Sequence, residues 1–225
     1  MPATNSLLPG PKNRPIIMVS SPVDGIEDLL EQIFAILSAD FTVWMSYKGT
    51  VPVDSKKSNF ENCLDAVRKC DMFLGILTTH YGSGKDGGNP SITHQEVRAA
   101  LKRDIPRWFL AHRDVEFAHD LVRNLGFRIP FDIPDLNARM NTLRAEGRHP
   151  VINDFRVLEM YEEVIQAKKA LSERRGNWAQ PFATAADGRV FVVAQFLRYS
   201  RAIEDVKNGP LSALRQMAGE KGEQR

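Results

Sequence analysis

Short apolar segments alternate with amphipathic ones over the first half of the chain. Apolar runs bounded by turn-forming residues predict β-strands over residues 15–20, 41–46, 72–77 and 107–111. Between them, apolar residues recur at spacings of three and four, which is typical of helices with one buried face. Such helices are predicted after Asp24, from about Asn59, and over residues 93–102 and 115–125. This alternation predicts βαβ units and a parallel sheet, in an α/β fold of the doubly wound, flavodoxin-like type.

Beyond Gly126 the pattern becomes mostly helical. It predicts a short helix over residues 136–145, an edge strand at 151–152 and a long helix over 153–176. An irregular link follows over residues 177–188, and apolar spacing over 192–206 predicts a final helix. We therefore expect a flexible lead over residues 1–13, an α/β domain over 14–126, a helical C-terminal extension over 127–217 packed on it, and a charged tail over 218–225.

The large apolar side chains of this extension leave two interpretations open. They either pack within the chain or face another subunit, because periodicity alone does not tell one kind of burial from the other. If they face another subunit, the candidate surface consists of Phe155, Tyr161, Phe196 and Tyr199.

Composition and charge narrow the classes of protein. The 225 residues are 43% hydrophobic and 26% charged, with a net charge of +2, which is ordinary for a globular protein. No basic block, apolar h-region or run of about 18 apolar residues is present, so we expect no nucleic-acid partner, no signal peptide and no membrane span. Only Cys63 and Cys70 are present, which favours a reduced, cytoplasmic protein. The five histidines form no HExxH motif, and we expect no metal site.

The most informative segment joins the third predicted strand to the third predicted helix. A glycine-rich loop over residues 82–88 leads into a helix that carries Glu96 in its first turn. Loops at the carboxyl ends of parallel strands build the ligand crevice of such folds, so Glu96 is a candidate catalytic residue. A second interpretation stays open, because Thr93-His94-Gln95-Glu96 matches a capping box, in which Glu96 would only stabilise its own helix.

Six further residues are candidates for binding a substrate near Glu96. Two serines after the first strand either donate to a ribose or phosphate, or cap the following turn. Tyr81 either stacks on a base or packs under the glycine-rich loop, while Lys48 belongs to the loop after the second strand. The full set of predicted substrate-binding residues is Ser20, Ser21, Lys48, Tyr81, Gly82 and Ser91.

Several segments, taken in order, resemble a known bacterial family. The chain carries two serines at the end of the first strand, then CDMFLGIL, HYGSG and SITHQEVRAAL. Over roughly residues 14–112 this order is similar to the TIR-like group called domain of unknown function 4062. TIR domains either assemble signalling complexes or cleave the N-glycosidic bond of NAD, with a catalytic Glu early in the helix after the third strand. The resemblance assigns that position to Glu96, although the TIR pattern S-x-W-C-x-x-E is one residue shorter here and lacks Trp and Cys.

The resemblance implies a function and its partners. A TIR-like enzyme would use NAD, or a related nucleotide, as a substrate and would need no separate cofactor. It would act when assembled, by self-association or with a partner protein, in an anti-phage or stress response. Two alternatives stay open: a non-catalytic TIR-like adaptor in which Glu96 is only a cap, and an enzyme similar to nucleoside deoxyribosyltransferases, which use a carboxylate nucleophile.

Overall fold

The computed structural model describes residues 14–83 and 89–198, and its framework is a five-stranded parallel sheet. The strands follow one another in space in the order β2-β1-β3-β4-β5. Their bounds are β1 Ile16–Ser20, β2 Thr42–Met45, β3 Met72–Leu77, β4 Arg107–His112 and β5 Ala179–Phe182. The prediction of an α/β doubly wound fold is confirmed, and β3 lies at the centre of the sheet, between β1 and β4.

Helices cover both faces of the sheet. Two short 3₁₀ segments, Ser46–Lys48 and Leu171–Glu173, accompany seven α-helices in the described residues. The α-helices are α1 Glu27–Leu37, α2 Asn59–Lys69, α3 Ile92–Leu101, α4 Arg113–Asn124, α5 Ile133–Ala145, α6 Arg156–Val164 and α7 Ala185–Val192. One hydrophobic core forms beneath α1 and α7, and the other beneath α2, α3, α4 and α6.

The central strand explains why its sequence is apolar without alternation. Phe73 and Leu77 enter the core beneath α3, whereas Leu74 and Ile76 enter the core beneath α1. Because a parallel strand between two helical layers has no solvent face, every position favours an apolar residue. Gly75 is the exception in size, since a Cβ there would lie 2.7 Å from the ring of Phe109.

The fifth strand corrects the prediction of an irregular link. Residues 179–182 pair in parallel with β4, with Ala179 opposite Phe109 and Phe182 opposite His112. Gln180 and Pro181 are not typical of a strand, so the sequence did not predict one here. A proline is tolerated on an edge strand because only one side of that strand is paired. The edge strand predicted at residues 151–152 is wrong: that segment is not a strand, and Ile152 instead packs in the core.

The long helix predicted over residues 153–176 is also wrong. Helix α6 has only nine residues, and Gln166 beyond it has a left-handed backbone with φ of 53°. The final helix, predicted from residue 192, begins earlier: α7 starts at Ala185, within the predicted link, and a π-helical segment, Val193–Arg198, follows it. Residues 199–206 of the predicted helix lie outside the described residues. No helix in the described ranges is both long enough and apolar enough to cross a membrane.

The described side chains that were predicted to face another subunit are not exposed. Tyr161 and Phe196 are buried within the chain, and Phe155 packs against the core beneath α3. The fourth member, Tyr199, lies outside the described residues. The apolar spacing in this region therefore reflects burial within one chain.

Candidate active site

A crevice of about 450 Å³ opens at the carboxyl ends of β1, β2 and β3. The chain leaves β1 through α1 on one face of the sheet and enters β3 from α2 on the other, which makes the β1–β3 edge a topological switch point. Four groups of residues line the crevice: the loop after β1, the loop after β2, the first turns of α2, and the segment from Gly82 into α3. Among the lining residues are Ser21, Asp24, Asn62, Cys63, Gly82, Thr93 and Glu96.

Glu96 lies in the floor of this crevice and does not cap its helix. Helix α3 is capped by Ser91, whose Oγ accepts from the His94 N–H at 3.2 Å. The capping box predicted from Thr93 is therefore wrong, because the helix starts two residues earlier than that motif requires. The carboxylate of Glu96 turns toward the sheet, where Ser20 Oγ donates to its Oε2 at 2.5 Å. Only 4% of Glu96 is exposed.

The surroundings of Glu96 make it a weak acid. Burial raises the pKa of Glu96 to about 7, against the lowering effect of hydrogen bonds from Ser20 and Cys63. These two donors are uncharged, and they offset burial less than an arginine or lysine would. In the described part of the crevice, the ionisable acids are Glu96 and Asp24, and no lysine or arginine lines the wall. The site is therefore suited to a cationic or electron-poor ligand atom.

Cys63 is a further neighbour of Glu96. It lies in α2, and its thiol contacts the Glu96 carboxyl group across the crevice floor. Burial and the charge of Glu96 raise the pKa of the Cys63 thiol to about 12, so the thiol stays protonated and acts as a donor. The contact between Cys63 and Glu96 exists because α2 packs against α3, and no local sequence motif predicts it.

Three of the predicted substrate-binding residues meet at the crevice. Ser21 and Gly82 line it, and Ser20 lies just beneath, on Glu96. Gly82 has φ of 84°, a left-handed conformation that favours glycine, and a Cβ there would lie 3.4 Å from Thr93 Oγ1. The backbone conformation, and not the space around it, is therefore what favours glycine at this position.

The other three have structural partners elsewhere. Lys48 forms an ion pair with Glu31 of α1 at 2.7 Å and does not line the crevice. Ser91 is fully buried as the cap of α3. Tyr81 is also buried, and its hydroxyl lies 2.6 Å from His94 Nδ1, so its ring is not available to stack on a ligand.

Comparison with known protein families identifies the group to which these features belong. The model of the family described as domain of unknown function 4062 (DUF4062) matches residues 16–173, which is more than half of the chain. The chain belongs to the DUF4062 family. A comparison with curated proteins finds no match.

In this DUF4062 protein, Tyr81 and His94 belong to a buried network behind the crevice. His94 Nε2 lies 3.3 Å from a carboxylate oxygen of Glu163 in α6, and Arg98 of α3 donates to both oxygens of that carboxylate. Burial alone would raise the pKa of Glu163, but the contacts with His94 and Arg98 outweigh it and lower this pKa to about 2. The network fastens the helix that carries Glu96 to α6.

Asn62 has a comparable supporting role on the opposite wall. Its buried side chain accepts from the Asp54 N–H at 2.9 Å and donates to the Asp54 carbonyl at 3.2 Å. These bonds hold the loop that follows β2 against α2. Asn62 was missed in the sequence because its partners are backbone groups of a loop, whose position only the fold determines.

A second cavity, of about 490 Å³, lies on the far side of α3 from Glu96. Its carboxylates are already paired: Glu159 and Glu163 with Arg98, and Glu162 with Arg123. Carboxylates held by arginines are poor general acids or bases near neutral pH, because the pairing stabilises the charged form. The crevice around Glu96 is therefore the better candidate for chemistry in this DUF4062 domain.

Proposed function

We propose that this protein cleaves the N-glycosidic bond of NAD or a related nucleotide, with Glu96 stabilising the cationic ribosyl transition state. The observation that supports this most is the position of Glu96: it is buried in the crevice floor, is held by Ser20 and caps nothing. A carboxyl group whose pKa is raised by burial, at the switch point of a doubly wound sheet, is a typical functional group. The general likeness to TIR enzymes supplies the substrate class.

The chemistry requires one well-placed negative charge. As the bond between ribose C1′ and the nicotinamide nitrogen breaks, its electrons neutralise the nicotinamide, and positive charge develops on the ribose. Water then adds to C1′ and a proton is released. A fixed carboxylate beside the ribose stabilises that positive charge, as in glycoside hydrolysis. No general acid is needed for the leaving group, so a single carboxylate is sufficient.

The walls of the crevice fit the nicotinamide riboside end of the substrate. Within the described lining, two carboxyl groups, Asp24 and Glu96, are accompanied by no lysine or arginine, which favours a ligand that is itself cationic. The volume of about 450 Å³ lies within the usual range for small-molecule sites. The first turns of α2 and α3 border the crevice, and the positive ends of these two helix dipoles favour the negative charge of the pyrophosphate.

The proposal also includes where and when the enzyme acts. Two free cysteines, Cys63 and Cys70, favour a reducing cytoplasm. As with TIR-like proteins in general, we propose that activity depends on assembly, by self-association or with a partner protein, in an anti-phage or stress response.

The test is release of free nicotinamide from NAD by the purified protein at a concentration where it is assembled. We expect Glu96→Gln to lower turnover by about two orders of magnitude or more, the scale of losing a key electrostatic stabiliser. Glu61→Gln is the matched control. Glu61 carries the same carboxyl group as Glu96, but it is a true capping-box residue on the neighbouring α2. Turnover that survives in Glu96→Gln, or no nicotinamide from any assembled sample, would favour a non-catalytic adaptor.

A further inference from the structure

Helix α4 exposes an apolar stripe that the core of this chain does not use. Eleven large hydrophobic side chains are exposed among the described residues, and five of them fall between residues 117 and 131. Three occupy positions four residues apart, two on one side of α4 and the third at its C-cap; we call Phe117, Leu121 and Leu125 the α4 stripe. An adjoining side of α4 buries Val115 and Val122 in the core. The helix is therefore apolar on two sides, which is unusual for a surface helix.

We infer that the α4 stripe is the interface with a second copy of this chain, with the two α4 helices packed antiparallel across a twofold axis. The spacing of the stripe favours this arrangement. Leu121 is at its centre, and Phe117 and Leu125 lie four residues to either side. A twofold axis through Leu121 therefore brings Phe117 of each copy against Leu125 of the other, as an isologous contact requires.

Charged side chains flank the stripe at both ends. Asp114 lies in the first turn of α4, and Arg128 lies beyond the end of the helix, after the turn at Gly126. Both are accessible, and their ion pairs within the chain are long: Asp114 is 3.6 Å from His112, and Arg128 is 3.5 Å from Asp132, with its guanidinium 5.8 Å from the Phe131 ring. Antiparallel packing brings Asp114 of one copy toward the segment with Arg128 that follows α4 of the other, whereas parallel packing would bring like charges together.

The area agrees with a weak but specific dimer. Phe127 and Phe131 follow α4 directly, and the five side chains from Phe117 to Phe131 are between 38% and 76% exposed. Covering them would bury roughly 500 Å² on each copy, or about 1,000 Å² for the pair, near the lower limit for specific interfaces. We therefore expect association in the micromolar range.

This inference specifies the self-association part of the proposed function, but it does not depend on Glu96. Sedimentation of the full chain without NAD measures the self-association alone. A chain that does not dimerise can therefore be distinguished from a chain that does not cleave NAD. We expect the wild type to dimerise with a dissociation constant in the micromolar range, and Leu121→Asp to raise that constant at least tenfold. Val190→Asp is the control, because Val190 is a 65% exposed apolar residue on α7, beneath which the other core lies.

A charge exchange tests the antiparallel arrangement. Asp114→Arg and Arg128→Asp should each weaken the dimer, and the double variant should recover most of the wild-type affinity. Circular dichroism and melting temperature establish that each variant is folded. A wild type that stays monomeric at hundreds of micromolar, an equal effect of Leu121→Asp and Val190→Asp, or a double variant no better than the single ones would overturn the inference.

Discussion

At the scale of single residues, Glu96 is the least expected side chain in the interior. Burying a carboxyl group destabilises its charged form, and the donors it meets, Ser20 and Cys63, are both neutral. A glutamine or methionine would fill the same space without that cost. A buried acid with a raised pKa is therefore more easily explained by chemistry in the crevice than by stability.

Glu96→Gln should change how stability depends on pH. Between the ordinary pKa of 4.5 and about 7, the folded state keeps a proton on Glu96 that the unfolded chain has lost, so the free energy of unfolding falls as the pH rises through this window. The fall is on the order of 3 kcal/mol. We expect the variant to lack this fall when urea unfolding is compared at about pH 5 and about pH 8. Equal pH dependence in both proteins would contradict a raised pKa.

The sequence predicted which carboxylate to examine, but not what holds it. Whether Glu96 caps α3 depends on where the helix begins, and Ser91 and Thr93 are both good caps, so local patterns left the choice open. The partners of Glu96 come from β1 and α2, distant in the chain. The same is true of Tyr81: its hydrogen bond to His94 and its burial depend on how α6 packs on α3, which periodicity does not reveal.

At the scale of elements, the contacts between α3 and α6 fix the position of the helix that carries Glu96. Arg98 of α3 donates to two carboxylates of α6, Glu159 and Glu163, and His94 approaches the second of them. Since α3 also carries Glu96, any slip of α3 along α6 would move the carboxylate away from Ser20. The helices are held by charges rather than by apolar contacts alone at this point.

Glu163→Gln should therefore be destabilising. Removing the charge from this half-buried ion pair costs about 1–2 kcal/mol, because Arg98 loses its bidentate acceptor but keeps Glu159. The pKa of Glu163 is lowered to about 2, so this carboxylate contributes stability that is lost as the pH falls from about 4.5 toward 2, and the variant should lose less stability than the wild type over that window. Urea unfolding at about pH 7 and about pH 3 measures both effects. Glu159→Gln, which removes one hydrogen bond to Arg98, should cost less.

The elements that could be predicted are those whose environment matches their pattern. Strand β3 and helix α1 follow their apolar periodicity because the core is their only neighbour. Strand β5 could not be predicted: its four residues include Gln180 and Pro181, and it is a strand only because β4 offers a free edge. Helix α6 ends early because Gln166 takes a left-handed conformation, although the apolar spacing continues past it.

At the scale of the whole molecule, the crevice and the α4 stripe are separate surfaces. The crevice is built by the carboxyl ends of β1, β2 and β3, whereas α4 follows β4 and contributes no residue to its lining. Two copies joined through α4 would leave both crevices open. Assembly and catalysis can therefore be measured independently, and a coupling between them would have to pass through the sheet or through α6, which α4 and α3 both contact.

The most direct measurement of the central claim is the pH dependence of nicotinamide release. If the Glu96 carboxylate stabilises the transition state, kcat/KM should rise with pH, with an apparent pKa near 7, and level off above it. Glu96→Gln should lower turnover on this plateau by about two orders of magnitude or more and remove the pH-dependent rise. A variant that keeps both the turnover and the pH profile of the wild type would contradict the account.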